Sequence, residues 1–431
     1  MKVVRNWARN QASIPTAFEH PRSTAEAASL VARAHERRER VKAIGAGHSF
    51  TSAAMTGGVL VSLEHLDTVV DIDRPEGRVT VQAGKTLKSL GADLAAAGLA
   101  LPNLGDINVQ SVAGAINTAT HGTGLALGNI ATSVVGMELI DGAGNIVRCD
   151  ADHEPDLLHA ARVGIGALGI VTEVTLQCVP AFNLHARETV EPLDDLLDDF
   201  AGFAESADHA ELFWMPGARR CRVKRNQRTD EPANPPSTYQ YVRDKYLAEN
   251  LAFDLVCRAG RRFPSLAPKI ATLVSSGGGE RDLIDRSDRV FASPRHVKFV
   301  EMEYGIPIGA VPEAVRRVRD LTSTLSFPSL FPIEVRVSAA DDIPLSTGYG
   351  RTNGWIAVHQ YRGAPYEAYF QGVEHIMNDY AGRPHWGKLH FQSADTLRDR
   401  YPEWSAFHAA RTRLDPHGTF ANDYLDRVLD A

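Results

Sequence analysis

The sequence predicts a mixed α and β chain of about two domains, and three observations carry that expectation. At 431 residues the chain exceeds what one hydrophobic core serves, since chains divide above roughly 250–300 residues. Residues 1–180 alternate short β-branched runs with alanine-rich stretches of helical spacing. Near Pro180 the character changes to charged helices interleaved with longer apolar strands.

The elements follow in order. Residues 23–36 have helical periodicity, with Ser23 or Thr24 as cap. Strands are expected at 41–44, 58–62, 68–72 and 78–83, then a helix over 86–97 stopped at Gly98. Residues 101–129 lack clear periodicity and are rich in Gly, Ala, Thr and Asn; a loop of that length in a compact domain is usually functional. Strands at 133–140 and 146–148 flank the hairpin signal Asp141-Gly142-Ala143-Gly144. A helix at 154–162 and a strand at 170–178 complete the first part. Beyond it, strands are expected at 210–214, 296–304, 331–337 and 355–361, a polar proline-bearing loop at 227–239, and helix and loop from Arg383 onward.

Composition narrows the function classes. A net charge of −7 argues against a nucleic-acid partner, which needs a basic face. No run of about 18 apolar residues occurs, so no transmembrane span is expected. The N-terminus is too polar for a signal peptide. The cysteines Cys149, Cys178, Cys221 and Cys257 form no CxxC pair, which fits a reducing cytoplasm without structural zinc. A cytoplasmic protein, free or peripheral at a membrane, is expected.

Five stretches bear on chemistry. The first, Gly45-Ala46-Gly47-His48-Ser49-Phe50, follows a strand-like run. A dinucleotide fingerprint needs glycine where Phe50 stands, and a Walker A loop ending at Gly84-Lys85-Thr86 needs glycine where Val79 stands. What remains is a turn whose amides could meet an anion, or simply a tight turn. His48 is either a hydrogen-bonded structural residue or a nucleophile, since neutral imidazole can attack the 8α-methyl of an oxidised flavin. The second stretch, 110–124, has little side-chain bulk, and Ser111, Thr118, Thr120 and Thr123 offer hydroxyls; it reads as a surface for a flat cofactor or as a small-residue helix interface. The third places Gly166 and Gly169 before Ile170, either as a backbone edge for adenine or as an ordinary loop-to-strand junction. In the fourth, FPIEVRVSA, Glu334 and Arg336 share one face of an expected half-buried strand, as a surface ion pair or as functional charges. The fifth, RPHWGKLH, sets Lys388 among aromatic and histidine residues. Metal-ligand spacings and a GxSxG elbow are absent from the sequence, so no metal and no hydrolase are expected.

In order along the chain stand GHSFT, ATHGTG, FPIEVR, IAVHQY, DYAGRPHWGK and RLDP, between Asn6-Trp7-Ala8 and Asn422-Asp423-Tyr424. This ordered set resembles the aldonolactone oxidoreductases of the vanillyl-alcohol-oxidase flavoprotein superfamily. That group holds L-gulono-1,4-lactone oxidases and dehydrogenases, D-arabinono-1,4-lactone oxidases and bacterial alditol oxidases. The resemblance implies an α+β fold, with a two-subdomain FAD-binding domain at 1–180. A cap domain with an antiparallel sheet would span 181–382, and a segment at 383–431 would return to the FAD domain.

The resemblance also implies roles. FAD would be covalent through its 8α-methyl at His48, with Gly45, Ala46, Gly47 and Ser49 holding its pyrophosphate by backbone amides and Phe50 also binding the cofactor. Ser111, Gly114, Thr118, Ala119, Thr120 and His121 match a second cofactor segment, and Ile170 with Val171 a third. Glu334 and Arg336 would hold sugar hydroxyls, Lys388 would face the flavin pyrimidine edge, and His359 would line the site. The reaction implied is hydride transfer from a substrate CH–OH carbon to flavin N5, with O2 or a cytochrome or quinone as the final acceptor. Gly105, where oxygen-excluding relatives often carry more bulk, favours an oxidase. Asp106 stands where alditol oxidases have a substrate-contacting serine, against open-chain alditols. An alditol oxidase, an NADPH-dependent UDP-sugar reductase with noncovalent FAD, and a nonenzymatic nucleotide-binding module are the competing expectations.

Overall fold

The computed structural model describes residues 3–266 and 279–430. Two larger sheets dominate the N-terminal part, beside two short two-stranded ones. Strands Ala17–Glu19, Val41–Ile44 and Val59–Ser62 form a small parallel sheet with Val59–Ser62 in the middle. Five antiparallel strands form the second, in the order Ile146–Asp150, Val134–Ile140, Ile170–Gln177, Arg78–Gln82 and Val69–Asp73. Helix Thr24–Glu36 starts where Ser23 accepts from the Glu26 amide, and helix Leu87–Ala96 starts the same way at Thr86. The stretch read as lacking periodicity contains a short helix, Val112–Asn117, capped by Ser111. Six residues are too few to develop a periodic signal.

The second part is built on an eight-stranded sheet. Its order is Arg281–Arg286, Asn183–Pro192, Arg220–Thr229, His209–Trp214, Ile333–Ser338, Asn353–Tyr361, Phe299–Pro307 and Arg383–Pro384, with antiparallel pairing throughout. Strand Ile333–Ser338 was expected to be half-buried. All six of its residues are buried, because it lies inside the sheet and both of its faces are covered. Ile333, Val335 and Val337 enter the apolar core with Met302, Ile356, Phe370 and Val373. Helices Val311–Thr324 and Glu367–Asn378 supply part of that core. Gly354 permits the close approach: a Cβ there would stand 2.0 Å from a Val311 methyl.

A separate core joins the two ends of the chain. Val31, Val61, Leu90, Ile116 and Leu139 pack in one cluster with Trp386, Phe407, Phe420 and Tyr424. Phe50 instead belongs to the core of the large sheet. The turn that carries His48 therefore lies where the two cores meet. Among the described residues no helix is long and apolar enough to cross a membrane.

Candidate active site

Side chains alternate across a pleated sheet, and this alternation makes one face of the large sheet polar. Glu211 and Phe213 come from one strand, Glu334 and Arg336 from the next, His359 from the third, and Glu301 and Glu303 from the fourth. In register, Glu334 stands opposite Phe213 and Ala357, and Glu301 opposite His359. This face looks into a cavity of about 150 Å³ whose other wall comes from the N-terminal part. Of the residues expected from sequence, His48, Ser49, Phe50, Gly105, Asp106, Thr118, Thr120, His121, Glu334, Arg336, His359 and Lys388 all line it.

The remaining expected residues lie outside the cavity wall. Gly45 and Ala46 are exposed. A Cβ on Gly45 would sit 2.2 Å from the Ser111 hydroxyl, so the absence of a side chain brings the first and second glycine-rich segments together. Gly114 packs against the same hydroxyl, which accepts from its amide at 3.2 Å. Ala119 takes a left-handed φ of 53° in the turn between Thr118 and Thr120. Ile170 and Val171 are buried in their strand, paired with Ile140 and Leu139.

Two charge clusters fill the polar face. In the first, Arg336 donates through Nε to Glu211 at 2.8 Å, contacts Asp106 at 2.8 Å and pairs closely with Glu334. Asp106 also receives Arg295 at 2.7 Å, and Glu211 also pairs with Lys224 at 3.0 Å. Burial works to raise the Asp106 carboxyl, but Arg336, Lys224 and Arg295 outweigh it and hold the group well below the usual range. Glu334 pairs with Arg336 and also feels Lys388. Burial, with Asp106 and Glu211 adding to it against Arg336 and Lys388, pushes its carboxyl well above the usual range.

In the second cluster Lys388 lies between Glu301 at 2.5 Å and Glu303 at 2.6 Å. Burial opposes ionisation of both acids. Lys388 and His359 hold Glu301 down to about 2, and Lys388 and His121 hold Glu303 well below the usual range. Burial would lower the Lys388 ammonium, but the glutamates keep it raised. His121 stacks on Trp355 with ring centroids 3.7 Å apart and approaches Glu303 at 3.2 Å. Burial and the nearby Lys388 lower His385 to about 3. His48 is lowered to about 4 by burial and by Lys298, leaving its imidazole neutral at pH 7.

Glu211, Lys224, Arg295, Glu301 and Glu303 were missed from the sequence. The i, i+2 spacing of Glu301 and Glu303 in FVEMEY is the same signal that singled out Glu334 and Arg336, and it was available. The Oε1 atom of Glu303 is buried and, among the described residues, has no hydrogen-bond partner. Such atoms cost free energy unless a ligand meets them. The small-residue wall at Gly105, Thr118 and Thr120, the neutral His48 and the cation Lys388 fit a flat flavin with an anionic pyrimidine edge.

Comparison with known proteins agrees. Residues 15–150 match the family model described as FAD binding domain, and residues 174–428 match that of D-arabinono-1,4-lactone oxidase. L-gulono-1,4-lactone dehydrogenase of Mycobacterium tuberculosis is 46% identical, covering 98% of both chains. L-gulonolactone oxidase of Scyliorhinus torazame is 32% identical over 98% of this chain and 97% of its own. Cholesterol oxidase from B. sterolicum shares the fold, with a TM-score of 0.83 at 19% identity over 99% of this chain and 96% of that one. The chain therefore belongs to the D-arabinono-1,4-lactone oxidase family of FAD-dependent aldonolactone oxidoreductases.

Proposed function

We propose that the chain oxidises an aldonolactone of the L-gulono-1,4-lactone type at a CH–OH carbon, with FAD attached through the 8α-methyl at His48. The observation that carries this reading is the convergence of His48, Glu334, Arg336, His359 and Lys388, from distant parts of the sequence, on one cavity. The name of the M. tuberculosis relative supports the lactone. The same reading divides the chain into a cofactor domain at 1–180, a cap at 181–382 and a returning segment at 383–431. It takes the protein to be cytoplasmic, free or peripheral at a membrane.

In this reading the amides of Gly45, Ala46, Gly47 and Ser49 hold the cofactor pyrophosphate. Ser111, Gly114, Thr118, Ala119, Thr120 and His121 carry its second segment, with Phe50 beside the ring site. Ile170 and Val171 offer the third, a backbone edge. FAD, when bound, supplies the two-electron acceptor that takes hydride at N5. Arg336 and Lys388 direct N–H donors at the reacting oxygen and stabilise negative charge as it develops there. Glu334, whose carboxyl burial holds above the usual range, binds substrate hydroxyls beside Arg336. His359 lines the site, with Nδ1 2.9 Å from the Pro332 carbonyl and Nε2 3.3 Å from Glu301. Asp106 fixes Arg336 and Arg295 at the substrate end, a role that the serine of alditol oxidases would not fill.

The acceptor that completes turnover is O2 or a quinone or cytochrome. Anaerobic bleaching of the flavin by L-gulono-1,4-lactone, against a panel of alditols, tests the substrate. Oxygen uptake against dye reduction separates the acceptors. Bleaching by alditols and not by lactones would overturn the reading.

A further inference from the structure

The N-terminal loop at 6–11 has no role in the reaction as described, yet most of its polar groups serve the turn that carries His48. The Trp7 amide donates to the Gly47 carbonyl at 2.7 Å, beside the left-handed Gly47 at φ 69°. Asn6 donates to the Ser49 carbonyl at 3.0 Å. Asn10 and Gln11 both donate to the Phe50 carbonyl, at 2.9 and 3.1 Å. The loop is itself closed, because the Asn6 side chain donates to Asn10 at 2.6 Å and accepts the Gln11 amide at 3.1 Å.

The Trp7 ring completes the arrangement. It stacks on His48 with centroids 5.1 Å apart and planes 24° from parallel. Lys298, which immediately precedes strand Phe299–Pro307, places its ammonium 3.9 Å from the Trp7 ring centroid. Phe299 meets the Trp7 ring edge-on at 5.4 Å and 72°. Among the described residues the His48 ring makes no hydrogen bond. Its orientation is set by stacking on one tryptophan, which is itself clamped by a cation and an aromatic ring from the large sheet.

We infer that the N-terminal loop is the device that aims His48 for covalent attachment of the cofactor, with Trp7 as its positioning residue. This rests on the reading of His48 as the attachment site. The bond forms between an imidazole nitrogen and the 8α-methyl carbon. That carbon and the imidazole each give up one proton, and the electron pair passes to the flavin. The flavin returns the pair, with two protons, to dioxygen as hydrogen peroxide. Bond formation requires the nitrogen to be held close to the carbon and aligned with it, and a misplacement of about 1 Å can cost on the order of 10²-fold in rate. The stack, and not a hydrogen bond, provides that alignment.

The test uses the full chain produced under riboflavin limitation, mixed with FAD in air. Acid-precipitable flavin is followed over time, and FAD affinity is measured separately by fluorescence quenching. Wild type should gain acid-stable flavin. Trp7→Leu should do so at least tenfold more slowly while still binding FAD, and Trp7→Phe should recover part of the rate. Lys298→Met, which leaves the loop intact, should also be slowed, and it decides the matter if Trp7→Leu fails to fold. Equal rates in wild type and in the folded variants would overturn the inference and leave the attachment site standing. Wild type that binds FAD only noncovalently would instead overturn the reading of His48, and the inference with it.

Discussion

Replacing Lys388 by methionine tests the electrostatics of the site without reference to turnover. The ammonium lies 2.5 Å from Glu301 and 2.6 Å from Glu303, and both acids are buried. Glu301 falls from 4.5 to about 2 on folding, and Lys388 is the largest cause after burial, which acts the other way. At about 1.4 kcal/mol per unit, this shift corresponds to roughly 3 kcal/mol of stability. Breaking a buried pair by removing one partner costs a similar amount, about 3–5 kcal/mol. The sign follows from linkage. In wild type the depressed Glu301 contributes stability that is present above pH 4.5 and lost as the pH falls through about 2. Without Lys388, burial dominates and raises both carboxyls above their unfolded values. The penalty then grows as pH rises past 4.5, because the unfolded chain ionises and the folded one resists. Urea midpoints at pH 5 and pH 7.5, with flavin content matched, should therefore show a larger gap between variant and wild type at pH 7.5. Adding Glu303→Gln should narrow that gap. An equal gap at the two pH values, or a double variant less stable than Lys388→Met, would refute the reasoning.

Other expectations follow from the same geometry. His359→Gln should keep flavin binding and slow flavin reduction by roughly tenfold, the cost of losing about one hydrogen bond in the cavity wall; stopped-flow flavin reduction measures it. The infrared band of the protonated Glu334 carboxyl, identified by its loss in Glu334→Gln, should persist to higher pH than that of an ordinary glutamate, because burial and its carboxylate neighbours raise its pKa. Gly105→Ala should weaken flavin binding rather than shut out oxygen alone: its Cβ would stand 2.9 Å from the His121 carbonyl and push on the segment from Thr120 to His121. Lys42 is wholly buried and donates to the Gly166 and Phe420 carbonyls at 2.8 and 3.1 Å, and burial lowers it from 10.5 to about 7. The unfolded chain then binds more protons between pH 7 and 10.5, so stability rises with pH across that window, and Lys42→Met should flatten the slope.

Local patterns carried most of the architecture. The helices expected over 23–36 and 86–97 are present, Gly98 with φ 76° follows the end of the second, and the turn at 141–144 joined the two strands expected on either side. The i, i+2 rule put Glu334 and Arg336 on one face, and they are there. Such signals are legible because helical and strand periods are properties of a few consecutive residues. Which strands become neighbours is a property of the whole chain, and so are the buried partners it creates. Nothing local in AELFW pairs Glu211 with Arg336, or sets Arg295 against Asp106; those contacts arise from strand order and from a loop folding back over the sheet. Nor does NWARN reveal that Trp7 lies on His48. The upward shift of the Glu334 carboxyl belongs to the same class. A carboxyl's charge depends on how many cations surround it in a medium that screens poorly, and only the assembled core decides that count.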